Sequence, residues 1–296
     1  MPGMFCRHNR LTANCPICTR ELEAALPKPP PRQRARTTTR TRTAAPRTGG
    51  LVTRRLARAA DDGYRNPLVP GLRATADAER LAAALTAADR RLEPPGPYPE
   101  VAEEPDIEDA TWLAFLLALA GPDAPELQAA VRATRPRWAD GEAPELGGPD
   151  TPRARAAAAY RAWVQRTGSQ AAAFTGEAAW TPERRFARLF ERLALPGFNR
   201  AARFELLAAL GAAGRYPLAA DSLHLVEDDA TTLAAKRALV SGDRMLLERR
   251  ARELAEACEL PVAALDRGLA VWGTPGEHAE LAAEAPAAVR AALRLR

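Results

Sequence analysis

A chain of 296 residues with 47% hydrophobic side chains has room for one large domain or two ordinary ones and the means to bury a core. No apolar run approaches the roughly 18 residues of a membrane span, and Met1–Phe5 lacks the apolar segment of a signal peptide, so membrane and secreted classes are excluded and a soluble, cytoplasmic protein is expected. Charge is unevenly placed: residues 1–60 hold 13 basic and 2 acidic residues, the remainder 29 basic and 35 acidic, which predicts a positive arm on a mildly acidic body.

The arm opens with Cys6-Arg7-His8 and Cys15-Pro16-Ile17-Cys18. In an extended segment Cys6 and His8 point to one side, and the Cys-x-x-Cys turn can close a tetrahedron from the other. Three thiolates and an imidazole suit a closed, structural Zn2+ site, so a zinc knuckle is expected over 1–26 with ligands Cys6, His8, Cys15 and Cys18. A redox pair would instead sit at a helix start after a strand, and nothing before Cys15 reads as a strand. Residues 27–50 carry seven basic residues, no acid and no large apolar side chain. Such a segment cannot bury enough to offset its ordering entropy, so a disordered linker is expected. It suits either phosphate-backbone attraction or plain solvation.

From about residue 75 the pattern is helix after helix. Leu81, Leu85 and Leu92 follow Asp77, and Trp112, Phe115, Leu116 and Leu119 follow Asp109. Segments 93–106 and 140–150 read as loops, and 51–75 as irregular chain packed on helices. Thr151-Pro152 and Thr181-Pro182 are cap-plus-proline starts. The first helix carries Tyr160, Trp163 and Val164 and stops at Gly168. The second carries Phe186, Leu189, Phe190 and Leu193. Later helices hold Leu247, Ala251, Leu254 and Cys258, then Val262, Leu265, Leu269 and Trp272 with Gly273 just beyond. Strand-type alternation is absent, so 51–296 is predicted to be one all-α domain.

Between two of these helices stands Leu195-Pro196-Gly197-Phe198-Asn199-Arg200. Proline stops the first helix and Gly197 supplies a positive φ, giving a helix-hairpin-helix whose backbone N–H groups can hold a phosphate. Some two dozen residues on comes Asp221-Ser222-Leu223-His224. This arrangement resembles the helix-hairpin-helix DNA glycosylase superfamily. The resemblance implies that Pro196, Gly197, Phe198, Asn199 and Arg200 contact DNA and that Asp221 is the catalytic carboxylate opening a short helix. A partly buried carboxylate there would stabilise oxocarbenium-like charge, and the base would first leave the stack. Asp221 equally suits a plain N-cap. Trp180, Glu183 and His224 are candidates for a base pocket, with Phe174 and Tyr216 as further aromatic surfaces and the Gln170 amide as a reader of a base edge. Glu183 also suits the helix dipole, and His224 a packing role. Asp228 and Asp229 read as helix-start residues. Ala201 stands where bifunctional superfamily members carry a Schiff-base lysine, so lyase chemistry is not expected.

Three further segments, Phe5-Cys6-Arg7-His8-Asn9-Arg10, Ala179-Trp180-Thr181-Pro182-Glu183-Arg184-Arg185-Phe186 and Asp228-Asp229-Ala230-Thr231-Thr232, resemble the family named alpha-glutamyl/putrescinyl thymine pyrophosphorylase, clade 3. That resemblance implies modification of a thymine-derived base in DNA, in which a pyrophosphorylated 5-hydroxymethyluracil loses pyrophosphate as an amino group attaches. The expected function is a DNA base-processing or base-modifying protein acting on an extruded base. The alternative is a non-catalytic DNA-binding module built from knuckle, tether and hairpin.

Overall fold

The computed structural model describes residues 59–141, 148, 150–226, 229–274 and 284–296. The chain divides into two units, Met1–Thr53 and Arg54–Arg296, and every described residue belongs to the second. The expected knuckle and linker, with Cys6, His8, Cys15 and Cys18, lie outside the described residues. Among those described, the body is twelve α-helices and one 3-10 turn with no strand, so it is all-α as expected. In chain order the helices are α1 Thr75–Leu92, α2 Pro99–Glu103, α3 Ile107–Ala120, α4 Pro125–Thr134, α5 Pro152–Thr167 and α6 Gln170–Thr175. They continue as α7 Pro182–Arg192, α8 Arg200–Ala212, α9 Ala230–Leu239, α10 Arg244–Ala257, α11 Val262–Gly273 and α12 Ala287–Ala292.

Helix starts follow local chemistry. Thr151 and Thr181 cap α5 and α7 through their hydroxyls, each followed by proline at the first helical position. Asn199, Asp229 and Asp243 accept N–H bonds at the starts of α8, α9 and α10. Each such cap contributes about 1 kcal/mol. Helix α3 is capped by Asp106, not Asp109, whose carboxylate instead accepts from the Trp138 N–H at 2.8 Å. The segment 93–106, expected as a loop, contains the single-turn helix α2.

Two hydrophobic cores form within this one unit. The first gathers α2 to α8 around α3, which is buried on every side from Ala110 to Ala120 because nothing but apolar residues and Thr111 lines that stretch. Its aromatic side chains stack. Phe115 and Tyr160 have ring centroids 3.9 Å apart, and Trp112 lies 5.4 Å from Phe115. Each fully buried ring of this kind stabilises the fold by roughly 1.5–3 kcal/mol. The second core joins α1 to α9–α12, uniting Leu81 and Leu85 with Leu265, Leu269 and Trp272. The α1–α11 crossing is close because position 268 is glycine. A Cβ there would stand 2.7 Å from the Leu85 Cδ2. The Trp272 indole N–H donates to the Asp77 carbonyl at 3.0 Å. Residues 59–74 are irregular and packed on helices as expected, with Tyr64 and Asn66 side chains donating to the carbonyls of Leu293 and Ala292.

The chain therefore enters the second core through α1, builds the first core through α2–α8, and returns. Where the two cores meet, charged pairs join them.

Candidate functional site

The α7–α8 turn shows why its sequence folds as it does. Leu193 closes α7, the Phe198 N–H donates to the Leu195 carbonyl at 3.1 Å, and Gly197 takes φ +79°. Asn199 caps α8 through an oxygen 2.9 Å from the Ala202 N–H. Pro196, Gly197 and Asn199 are exposed, whereas Phe198 is buried against Phe115. Gly197 also presses on the start of α5. A Cβ at this position would lie 2.1 Å from the Pro152 carbonyl oxygen.

Arg200 follows the turn but points inward, with 1% of its side chain exposed. Its guanidinium pairs with Asp229 at 3.2 Å and with Asp266, and donates to the Leu223 and His224 carbonyls. The sequence reading expected this charge beside a phosphate. In the fold it is spent on two carboxylates and two carbonyls, because α8 turns that side chain toward α9 and α11 rather than toward solvent. Burial pushes the Asp266 carboxyl upward, opposed by Arg200.

A cleft of about 560 Å³ opens beside this network. It lies between the end of α3, the start of α5, the α7–α8 turn, the start of α9 and one face of α11. Gly197, Asn199 and Ala201 line it together with Asp229, Thr231, Asp266, Arg153 and Arg267. Four helices (α4, α5, α8 and α9) begin at it, so their partial positive ends face the same space as the two carboxylates. Glu205 also reaches the lining. Burial pushes its carboxyl up, but the Arg91 guanidinium at 2.5 Å and the Tyr98 hydroxyl hold it below the usual carboxylate range. Arg267 meets Asp123 at 2.8 Å. Chemically, the cleft offers carboxylates for developing positive charge and helix starts for anionic groups. Among the described residues, no group of three or more His, Cys, Asp or Glu side chains is placed to hold a metal ion.

The other expected site residues do not converge on this cleft. Asp221 is exposed on a loop, opens no helix, and does not line the cleft; its carbonyl accepts from Arg252 Nε at 3.2 Å. The helix after it starts only at Ala230, and its cap is Asp229. Trp180, Glu183 and His224 all neighbour α7. Trp180 is buried over Gly176 with Arg192 on its ring. Glu183 is exposed in the first turn, its carboxyl lowered by its own backbone N–H and by the Thr181 hydroxyl. His224 stacks on Phe190 at 4.3 Å, and burial lowers its pKa against the pull of Glu248 and Asp221. Gln170, expected in a loop reading a base edge, is fully buried at the start of α6, held by the Tyr160 hydroxyl and by Glu108. Phe174 and Tyr216 stack on each other inside the first core.

Two cleft residues escaped the sequence reading. Asp229 was read only as a helix start, and Asp266 was not singled out. The one signal for Asp266 was an acid set beside the apolar stripe Val262, Leu265 and Leu269.

An all-α body with two cores and a charged cleft where they meet is the class that fold and site define. Within it, residues 148–275, from the approach to α5 through α11, match the family described as alpha-glutamyl/putrescinyl thymine pyrophosphorylase clade 3. The match spans somewhat under half of the chain, bears out the likeness read from the sequence, and takes in Gly197, Asn199, Arg200, Asp221, Asp229 and Asp266. No curated protein and no solved structure matches the chain.

Proposed function

We propose that this chain modifies a thymine-derived base of DNA in the cleft between the two cores, with the α7–α8 turn acting as a helix-hairpin-helix at its rim. The observation that carries the reading is the meeting of Gly197, Asn199 and Ala201 with Asp229 and Asp266 around one cavity inside the family-matched segment. In the reaction, the bond from the base methylene carbon to the pyrophosphate oxygen breaks, a carbon–nitrogen bond to an amine forms, and the amine gives up a proton. Developing positive charge at that methylene is what a nearby carboxylate stabilises, and the open N–H groups of α8 suit a departing anion. The base reaches the cleft only after leaving the stack. The superfamily resemblance favours Asp221 as the working carboxylate, while the lining of the cavity supports Asp229.

The test is pyrophosphate release by the full chain from a duplex carrying one pyrophosphorylated 5-hydroxymethyluracil, with a diamine as acceptor. Asp229→Asn keeps the helix cap and is expected to lower turnover about 10²–10³-fold with duplex affinity retained. Asp221→Asn is expected to stay within a few fold of wild type. The opposite ranking would move the chemistry to the exposed loop. Binding without release by the wild-type chain would instead favour the DNA-binding module.

The N-terminal donor set of three thiolates and an imidazole suits a structural Zn2+. Metal analysis of the full chain should find one zinc per molecule, lost in Cys15→Ser and Cys18→Ser. Retention of zinc by both variants would sink that assignment.

A further inference from the structure

Among the described residues, the exposed large hydrophobic side chains are Val226, Leu233, Val240 and Met245. All four fall within one 20-residue stretch covering the loop before α9, α9 itself, the α9–α10 turn and the first turn of α10. Met245 is the most open, at 81%. Val240 ends α9 at φ +50°, a conformation that β-branched residues rarely adopt, and its side chain still faces solvent.

The stretch 226–245 itself holds three basic and four acidic residues, but from α9 into α10 the charge turns positive: residues 230–252 hold six basic and two acidic residues, within a body that is acidic in total. Both acids are occupied. Asp243 caps α10, with its carboxylate 2.7 Å from the Leu246 N–H. Glu248 turns inward and accepts from the Leu223 and Leu225 N–H groups at 2.8 and 2.7 Å. Arg244, Arg249 and Arg252 line a recess of about 540 Å³ beside Met245, together with Asp243 and Glu248, and Arg252 also donates to the Asp221 carbonyl. The Arg249–Glu253 pair is 3.5 Å long and solvent-exposed, so it holds Arg249 only weakly.

We infer that the face formed by α9 and the start of α10 is the surface on which duplex DNA lies, with arginines on the phosphates and Met245 and Val240 against the sugars and base edges. The inference rests on the DNA reading above. Charge selects the partner, because a polyanion is what three clustered guanidinium groups recruit through counterion release. Projecting apolar side chains suit it further, since DNA-binding proteins press such groups against base steps. Continuity with the cleft supplies the geometry. Helix α9 starts in the cleft wall at Ala230 and Thr231 and runs 10 residues, roughly 15 Å, to Val240. Duplex lying along it presents a nucleotide at the cleft mouth with about four base pairs on the flanking face.

The experiment is fluorescence anisotropy of the full chain on a 20-base-pair duplex across a salt series. The basic arm contributes equally to every variant. Arg244→Ala with Arg249→Ala is expected to weaken binding about 10-fold and lower the slope of log K against log salt by about 2. Met245→Ala is expected to weaken binding a few fold with the slope unchanged. Arg166→Ala with Arg188→Ala, on α5 and α7, is the control and should match wild type. A double variant that binds as wild type does, or a control that falls equally, overturns the face while leaving base modification standing. A wild-type dimer in sedimentation that Met245→Glu dissociates assigns the surface to a second copy and overturns it too. Failure of the wild-type chain to bind duplex at all overturns the DNA reading and this face together.

Discussion

Replacing Arg200 with methionine is expected to destabilise the body by about 3–5 kcal/mol, seen as a lowered midpoint in denaturant with the slope kept. The guanidinium is almost wholly buried, and its partners Asp229, Asp266 and the Leu223 and His224 carbonyls all belong to the return path into the second core. Removing it leaves two carboxylates facing each other at low dielectric, where unpaired charge is most costly. Removing Asp266 as well, in Arg200→Met with Asp266→Leu, should recover a large part of the loss, since a buried pair replaced by apolar groups is often neutral. A cost under 1 kcal/mol for the single variant would show that the network does not hold the cores together. The network also has a pH signature. Burial raises the Asp266 carboxyl above its usual value. Its contribution to stability is therefore fully present below the unfolded pKa and lost as pH rises through the folded one. Asp266→Asn should flatten the wild-type decline over that window, read from denaturation midpoints taken at a series of pH values.

Gly197→Ala is expected to cost about 2–4 kcal/mol and to part the α7–α8 turn from α5. Two penalties coincide there. The backbone sits at φ +79°, and the added Cβ meets the Pro152 carbonyl oxygen at 2.1 Å and the Ala156 nitrogen at 3.2 Å. Both obstacles are backbone, so no side-chain rotation relieves them. Gly121→Ala separates the two effects, because Gly121 has φ +90° with nothing within 4 Å of the added atom. It should cost about 1 kcal/mol from conformation alone. Equal losses at both positions would show that the contact with α5 carries no strain. As Gly197 lines the cleft, the larger loss should also reduce duplex binding.

Much of the fold was legible before the tertiary structure. Helices α5 and α7 begin where Thr-Pro predicts, and α11 buries the expected Leu265, Leu269 and Trp272. The turn after α7 falls on Pro-Gly as its residue types require. Helices α2, α6 and α12 escaped because they are 5, 6 and 6 residues long, too short to show a 3.6-residue period, and the 10-residue α4 escaped because it buries only Gln128 and Val131. Gly273 was expected just past α11 and is instead its last residue, a shift of the size at which helix ends fray.

The site was legible only in part. The hairpin segment and the family likeness were readable, and they led to the wall of the cleft. The direction of Arg200 was not, since an arginine after an N-cap reads as solvent-facing until α9 and α11 are packed over it. Asp266 lies 66 residues from Arg200, and nothing in local sequence ties them. Most of the longer helices, the Thr151 and Thr181 caps, the apolar stripes and the basic arm followed from residue types alone, because each depends on neighbours within a few positions. Which carboxylates share a cavity, which arginine is buried, and which face gathers Met245 with the α10 arginines depend on contacts between distant segments. Those contacts exist only once both cores have closed.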